Sequence, residues 1–503
     1  MKVYFLFKDR DFDLNRNLIW NESELIKDLE LKTLLNAMAQ GDKFLFEVGR
    51  KVLLSSLTHD KETIHYRQEI LKDCLKNDAV IRKIDNLAMA AIASEKKNWL
   101  SMFLKNPSAI LSGSRERLQS YLPILQQLNR MAHAVDRHFE SPGFTRFFTM
   151  LKNELNEQYF LQVQYHLQQL KLSRGVLLSA QLGQGNKGVD YVLHQPPVRK
   201  RHWLRQMFDK KPVSFTFYLA PRDEMGAKAL SELQDQGLNI VANTLAQSCD
   251  HILDFFKALH TELSFYIGCL NLHKQLTAMD AATVFPSVSA TPGQYTVKKL
   301  YDVCLALKIK KTVVSNDLNA DNKNLIIITG ANRGGKSVFL RSIGLAQLMM
   351  QCGMFVPAEF FSANICCAIL THYKKEEDVG MKSGKFDEEL NRMNELADHI
   401  TSNSMILFNE SFSATNDREG SEIATQIVTA LLEKNIKIFF VTHLYEFAHR
   451  IYDTRPKETV FLRAERNQSG KRTYKLYEAI PLPTSYGKDL YVKIFESPSI
   501  HET

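Results

Sequence analysis

Apolar residues follow two different rhythms along this chain. In the first part they recur at three- and four-residue steps. Phe144, Phe147, Phe148, Leu151, Leu155, Tyr159, Val163, His166 and Leu170 form one proline-free stripe, the mark of a single long amphipathic helix. Leu238, Val241, Leu245, Cys249, Ile252, Phe256, Leu259, Leu263 and Leu270 predict a second. Helices of roughly 35–40 residues would span about 55 Å and serve as struts or levers. The plainer alternative is a set of ordinary bundle helices kinked at Gly237 and Gly268.

Between the stripes, Gly175-Val176-Leu177-Leu178 and Val189–Leu193 flank a turn rich in glycine (Gly183, Gly185, Gly188), which predicts a hairpin. Pro196-Pro197 then opens a basic run of Arg199, Lys200, Arg201, Arg205, Lys210 and Lys211, interleaved with Trp203 and Phe208. Such a run suits DNA phosphates and bases, and it equally suits a solvated loop; both readings stay open.

After Pro286 the rhythm changes. Leu325–Ile328, Met405–Phe408 and Ile436–Val441 are short continuous apolar runs separated by helical stretches. Strands buried on both faces look like this, and the alternation predicts an α/β layer around a parallel sheet. The chain therefore divides into a helical N-terminal region (1–110), a long-helix lever or core region with the hairpin and basic loop (111–285), and an α/β domain (286–503).

Composition narrows the class. With 503 residues, 45% hydrophobic and 24% charged, the chain has material for several cores, which excludes disordered, collagenous and small disulfide-rich classes. No apolar run approaches the ~20 residues of a membrane span. The opening Met1–Phe7 meets Lys8-Asp9-Arg10-Asp11 too early for a secretory signal, so a cytoplasmic protein without a membrane partner is expected. Seven scattered cysteines without a Cys-x-x-Cys pair read as buried thiols. A net charge of +8 permits a polyanionic partner without requiring one.

The chemistry concentrates after the run Leu325–Ile328. Gly330-Ala331-Asn332-Arg333-Gly334-Gly335-Lys336-Ser337 satisfies Gly-x-x-x-x-Gly-Lys-Ser between a predicted strand and a helix starting near Val338. Glycines let successive N–H groups converge on phosphate oxygens at a helix N-terminus. Lys336 adds a charge for the outer phosphates and Ser337 a hydroxyl for Mg²⁺, so a nucleoside triphosphate site is expected. Met405–Phe408 delivers Asn409-Glu410, a Walker B segment in which Glu410 would orient or deprotonate water. Asn409 stands where Asp is usual; the amide keeps an acceptor oxygen for the metal but loses its charge, which predicts weaker metal binding or slow turnover. The third run delivers Thr442-His443, whose imidazole either contacts the γ-phosphate or packs.

In this order the motifs resemble the MutS family of DNA mismatch-repair ATPases. Gly330–Val338 parallels the family's phosphate loop, and Asn409-Glu410 followed by Ser411–Gly420 its Asp-Glu and Gly-Thr-rich turn. Val441-Thr442-His443 parallels its Ala-Thr-His, Thr484-Ser485-Tyr486-Gly487 its Ser-Tyr-Gly, and Asn316-Asp317 its Asn-Asp. The resemblance implies an ABC-type P-loop ATPase domain that uses ATP and Mg²⁺ and works as a homodimer or heterodimer. It implies a trans signature from the partner subunit, for which Ser383-Gly384 is the candidate, and binding of mismatched, branched or duplex DNA as a clamp in repair or recombination. No Phe-x-Glu precedes the phosphate loop, which predicts a short form without the mismatch-reading domain. The competing reading is the same nucleotide-gated dimer gripping a protein instead of DNA. A P-loop kinase fits less well, because Glu410 and His443 suit water activation.

Overall fold

The computed structural model describes residues 1–55, 57, 60–97, 106–173, 175–195, 215–375, 384–466 and 472–483. They form two compact units: Met1–Val3 with Arg82–Phe139 and Phe144–His260, and Tyr4–Ile81 with Glu140–Gly143 and Thr261–Thr503. Helices α1 (Glu22–Asp28), α2 (Leu31–Ala39), α3 (Lys43–Ser55) and α4 (Lys61–Lys76) belong to the second unit. The first is built mainly from α5 (Asp78–Lys97), α6 (Pro107–Val135), α7 (Pro142–Glu154), α8 (Glu157–Gln169), strands β1 (Leu177–Leu182) and β2 (Gly188–His194), and much of α9 (Glu224–Ala278).

In the first unit the stripe Phe144–Leu170 is not one helix but two. Asn156 is extended (φ −74°, ψ 171°) and its side chain accepts the Tyr159 N–H at 2.9 Å, a cap that starts α8 afresh. Periodicity hides the break because Leu155, Phe160 and Leu167 stay buried on both sides of it. The second stripe is a single helix of 55 residues, about 82 Å long at 1.5 Å per residue. It runs unbroken through Gly237 and Gly268, which are seats rather than kinks. A Cβ at Gly237 would lie 2.3 Å from Leu178 Cδ2, and one at Gly268 would lie 3.2 Å from Met38 Cε. The hairpin forms as an antiparallel pair, with Leu182 and Val192 left exposed. Arg117 ties three helices, reaching Glu95 on α5 at 3.0 Å and Asp250 on α9 at 2.8 Å.

The second unit carries the α/β layer. Its elements in chain order are β3 (Ser287–Val288), β4 (Tyr295–Leu300), α10 (Val303–Ile309), β5 (Asn316–Asn319), β6 (Leu325–Thr329), α11 (Lys336–Gln351), β7 (Phe360–Ala363), β8 (Ile369–Tyr373) and α12 (Lys385–His399). There follow β9 (Met405–Asn409), α13 (Asp417–Glu433), β10 (Lys437–Val441), α14 (Tyr445–Thr454), β11 (Thr459–Arg466) and β12 (Arg472–Glu478). Six strands lie in the order β12-β11-β6-β10-β9-β8, parallel except for the edge strand β12. A smaller sheet, β3-β7-β4-β5, accompanies them. The three apolar runs are central strands: Leu325–Ile328, Ile406–Phe408 and Ile438–Val441 are fully buried.

The N-terminal helices belong to this layer's packing. Asn21 Nδ2 donates to Ile369 O of β8 at 2.9 Å, and Gln351 Nε2 at the end of α11 donates to Leu57 O at 3.0 Å. The hydrophobic pattern set residues 1–110 apart as one helical region; in the structure residues 4–81 share a unit with the sheet. Glu262 on α9 pins their start. Its fully buried carboxylate accepts the N–H groups of Phe5 (2.5 Å), Leu6 (3.1 Å) and Phe12 (2.6 Å).

Six of the cysteines are buried and Cys367 is exposed, all as free thiols. Among the described residues no cluster of His, Cys, Asp and Glu is arranged to hold a metal, and no helix is long and apolar enough to cross a membrane.

Glu262→Ala would leave three buried N–H groups without an acceptor. A loss of about 3 kcal/mol or more is expected, seen as a lower urea midpoint, with Glu262→Gln intermediate. An unchanged midpoint in the alanine variant would show that the carboxylate does not hold the N-terminal segment.

Candidate functional site

The parallel order places the ends of β6, β9 and β10 side by side, and Lys336, Ser337, Asn409, Glu410 and His443 lie there. β6 ends at Thr329, and the chain turns sharply at Gly330 (φ 108°) before entering α11 through Gly335 (φ 91°). Both conformations favour glycine. Space adds a second reason at Gly330, where a Cβ would sit 2.8 Å from Ala464 N. Arg333 takes the same left-handed region (φ 58°) without being glycine, a strained position of the kind found at ligand sites.

Lys336 opens α11 with only 4% of its surface exposed. Its ammonium donates to the carbonyls of Gly330 (2.9 Å) and Ala331 (3.1 Å) inside the loop. Burial pushes its pKa down to about 8, with Glu410 opposing and Arg472 reinforcing the shift. Ser337 donates to Asn409 Oδ1 at 2.8 Å, so the two proposed metal-side groups already touch. Gly330 and Ala331 form the floor beneath the ammonium, while Asn332, Arg333, Gly334, Gly335, Lys336, Ser337 and Val338 line a cavity of about 460 Å³, the size range of small-ligand pockets.

Glu410 follows β9 and also lines this cavity. Its N–H donates to Val441 O (2.9 Å), its backbone is left-handed (φ 54°), and its carboxylate lies 3.1 Å from His443 Nε2. The hydrogen bond to His443 holds its carboxyl below the usual range, helped by the Lys336 charge and against partial burial. The next residues are locked: Ser411 Oγ contacts His372 Nδ1 at 2.7 Å, and Phe412 stacks on the same ring. Burial drives that imidazole down to about 4, so it stays neutral here.

The cavity has an apolar side that the motifs did not reveal. Tyr301, Leu305, Ile309, Val313, Val314 and Tyr474 line it, supplied by α10, the segment before β5, and β12. Only Asn316 of that wall carried a signal in the sequence. Its side chain is a strut, accepting the Leu476 N–H at 2.7 Å and donating to Tyr474 O at 3.3 Å. Gly384 stands at the start of α12, outside the lining of the cavity. Ser383, the basic residues Arg199, Lys200, Arg201 and Arg205, and the Thr484–Gly487 motif lie outside the described residues.

A buried ammonium at a helix start, beside a hydroxyl, an amide and a carboxylate, is chemically suited to a polyphosphate anion. The MutS2 N-terminal domain family matches residues 59–279, and MutS domain V matches residues 326–496. The chain belongs to the MutS family.

MutS protein homolog 4 of Homo sapiens is 28% identical over 287 residues, 55% of this chain and 30% of that protein. DNA mismatch repair protein MutS of Lactobacillus johnsonii is 28% identical over 265 residues, 49% of this chain and 31% of that protein. Endonuclease MutS2 of Streptococcus uberis is 32% identical over 173 residues, 34% of this chain and 22% of that protein. The matches thus span between 22% and 31% of these relatives' lengths. Lys336, Asn409, Glu410 and His443 of this MutS-family chain all fall inside the domain V match, whereas Tyr301, Leu305 and Ile309 precede it.

A polyphosphate ligand favours the charged form of Lys336, which otherwise loses its proton near pH 8. Affinity for magnesium tripolyphosphate is therefore expected to be level below that pH and to fall by up to about tenfold per unit above it. Calorimetry across the range tests this; a level curve to about pH 9.5 would exclude titration of Lys336 in the free site.

Proposed function

We propose that this MutS-family protein is an ABC-type ATPase that couples nucleotide state to DNA binding as a dimeric clamp, in repair or recombination. The observation that carries the reading is the convergence at one end of the sheet of Lys336, Ser337 and Glu410, which line one cavity, with Asn409 bonded to Ser337 and His443 to Glu410.

The donor set fits magnesium-ATP. Lys336 exchanges two carbonyl contacts for the outer phosphates, and the loop N–H groups take the remaining phosphate oxygens. Ser337 and Asn409 would hold Mg²⁺, which supplies positive charge against the leaving phosphates. Glu410, ionised and oriented by His443, accepts a proton from the attacking water. With Asn409 neutral, Glu410 is the cavity-lining carboxylate nearest this chemistry, and slow turnover follows. The base and ribose would occupy the apolar side.

In this reading residues 286–503 are the ATPase domain, braced by 4–81, and residues 111–285 contain the lever and core segment. Ser383 and Gly384 would reach the nucleotide of a partner subunit. Arg199, Lys200, Arg201 and Arg205 would meet DNA phosphates. The relatives named as DNA mismatch repair proteins support the DNA side of the proposal.

Lys336→Ala is expected to weaken magnesium-ATP binding by about 2–5 kcal/mol, the loss typical of a buried charge partner. Glu410→Gln should keep binding and lower turnover by roughly 10²–10⁴-fold; normal turnover would remove Glu410 from its role. Asn409→Asp should lower the Mg²⁺ concentration needed for half-maximal turnover. A panel of homoduplex, mismatched and four-way-junction DNA, with and without ATP at two salt concentrations, tests the clamp. Negligible affinity for every form at low salt alongside normal ATP turnover would exclude DNA and favour a protein partner.

A further inference from the structure

The apolar side of the cavity rests on a charge cluster that none of the steps above uses. Helix α10, which gives Leu305 and Ile309 to the wall, starts at Asp302. The Asp302 side chain has no exposed surface. One of its oxygens accepts the Leu305 N–H at 2.8 Å, capping α10, and the other accepts from Arg341 Nε at 2.6 Å. Arg341 sits on α11, one turn beyond Ser337, and its Nη1 lies 2.5 Å from Glu30 Oε1. Lys308, at the far end of α10, pairs with the other Glu30 oxygen. Glu30 immediately precedes α2 in the left-handed region (φ 52°, ψ 35°), a conformation costing a non-glycine residue about 1–2 kcal/mol unless its surroundings hold it.

One guanidinium therefore joins the helix of the phosphate loop, the wall of the apolar side and the N-terminal helices. We propose that Arg341 is a positioning residue for the nucleoside half of the ligand: through Asp302 it sets α10 against α11, and through Glu30 it makes the seating of α2 part of the site. The proposal rests on reading the cavity as an ATP site, and it deepens that reading by dividing the ligand. The triphosphate is held by loop N–H groups and Lys336, whose ammonium bonds to Gly330 and Ala331, whereas the Asp302 carboxylate bonds to Leu305 and Arg341. The nucleoside meets α10, whose first turn Asp302 caps. Burial already raises the Asp302 carboxyl against the pull of Arg341, so removing the guanidinium favours a protonated, differently bonded cap.

The test compares two ligands, magnesium-ATP and magnesium tripolyphosphate, by calorimetry on the full chain. Arg341→Met is expected to weaken ATP binding about tenfold while tripolyphosphate stays within about twofold. Glu30→Ala, at a partly exposed position, should shift the same ratio in the same direction by a few-fold. A purely structural role would lower both affinities together, and that result, or an unchanged ratio, overturns the proposal. If Arg341→Met does not fold, the Glu30→Ala ratio decides alone. Failure of the wild type to bind either ligand would instead refute the nucleotide site itself.

Discussion

A lysine ammonium held inside a loop of backbone is the constraint on which the site depends. Lys336 is almost wholly removed from water, and its two carbonyl contacts, Gly330 and Ala331, are neutral. A charge so placed is poorly compensated, and its lowered proton affinity expresses this. The arrangement is stable because β6 lies between β10 and β11, so the loop has a fixed floor that includes Ala464. The same strand order brings Asn409 and Glu410 from β9, and His443 from β10, to the ammonium's side. Sheet topology thus does two jobs at once: it shields the charge and assembles the groups that an anion bound to it would meet.

Asn409 changes the electrostatics of this end of the sheet. Its amide oxygen accepts from Ser337 at 2.8 Å, a neutral pair where a carboxylate would have added negative charge. The negative charge that faces Lys336 therefore comes from Glu410, one residue later. Glu410 is held by three features: its own left-handed backbone, a bond from its N–H to β10, and His443. Such restraint favours a carboxylate that keeps one orientation, as a water-directing group needs and a freely exchanging metal ligand does not.

The sheet and the phosphate loop were legible in the sequence because their signals are local. Four apolar residues followed by glycines and a lysine dictate a strand, a turn and a helix start within a few residues. The long helix α9 was legible for the same reason, since 3.6-residue periodicity accumulates over many turns. The break at Asn156 was not, because a capping amide leaves the apolar spacing on either side intact. The apolar cavity wall was also hidden. Leu305, Ile309 and Val314 look like any core residues, and only the tertiary placement of α10 and the segment after it brings them to the cavity. Nor does a helical stripe name what it packs against, which is why residues 4–81 gave no sign of joining the sheet.

The N-terminal helices also complete the packing around the helix that carries the phosphate loop. Helix α11 is buried along almost its whole length, its apolar residues from Phe339 to Met350 all covered. A surface helix leaves one face to solvent and reads as amphipathic, whereas a helix apolar on every side must be covered all round. Here the second face is covered by elements from the start of the chain: Gln351 bonds Leu57, Arg341 pairs with Glu30, and Cys352 lies against the Val52 and Leu53 carbonyls. Residues 29–57 thus supply contacts to α11 from outside the stretch that MutS domain V matches.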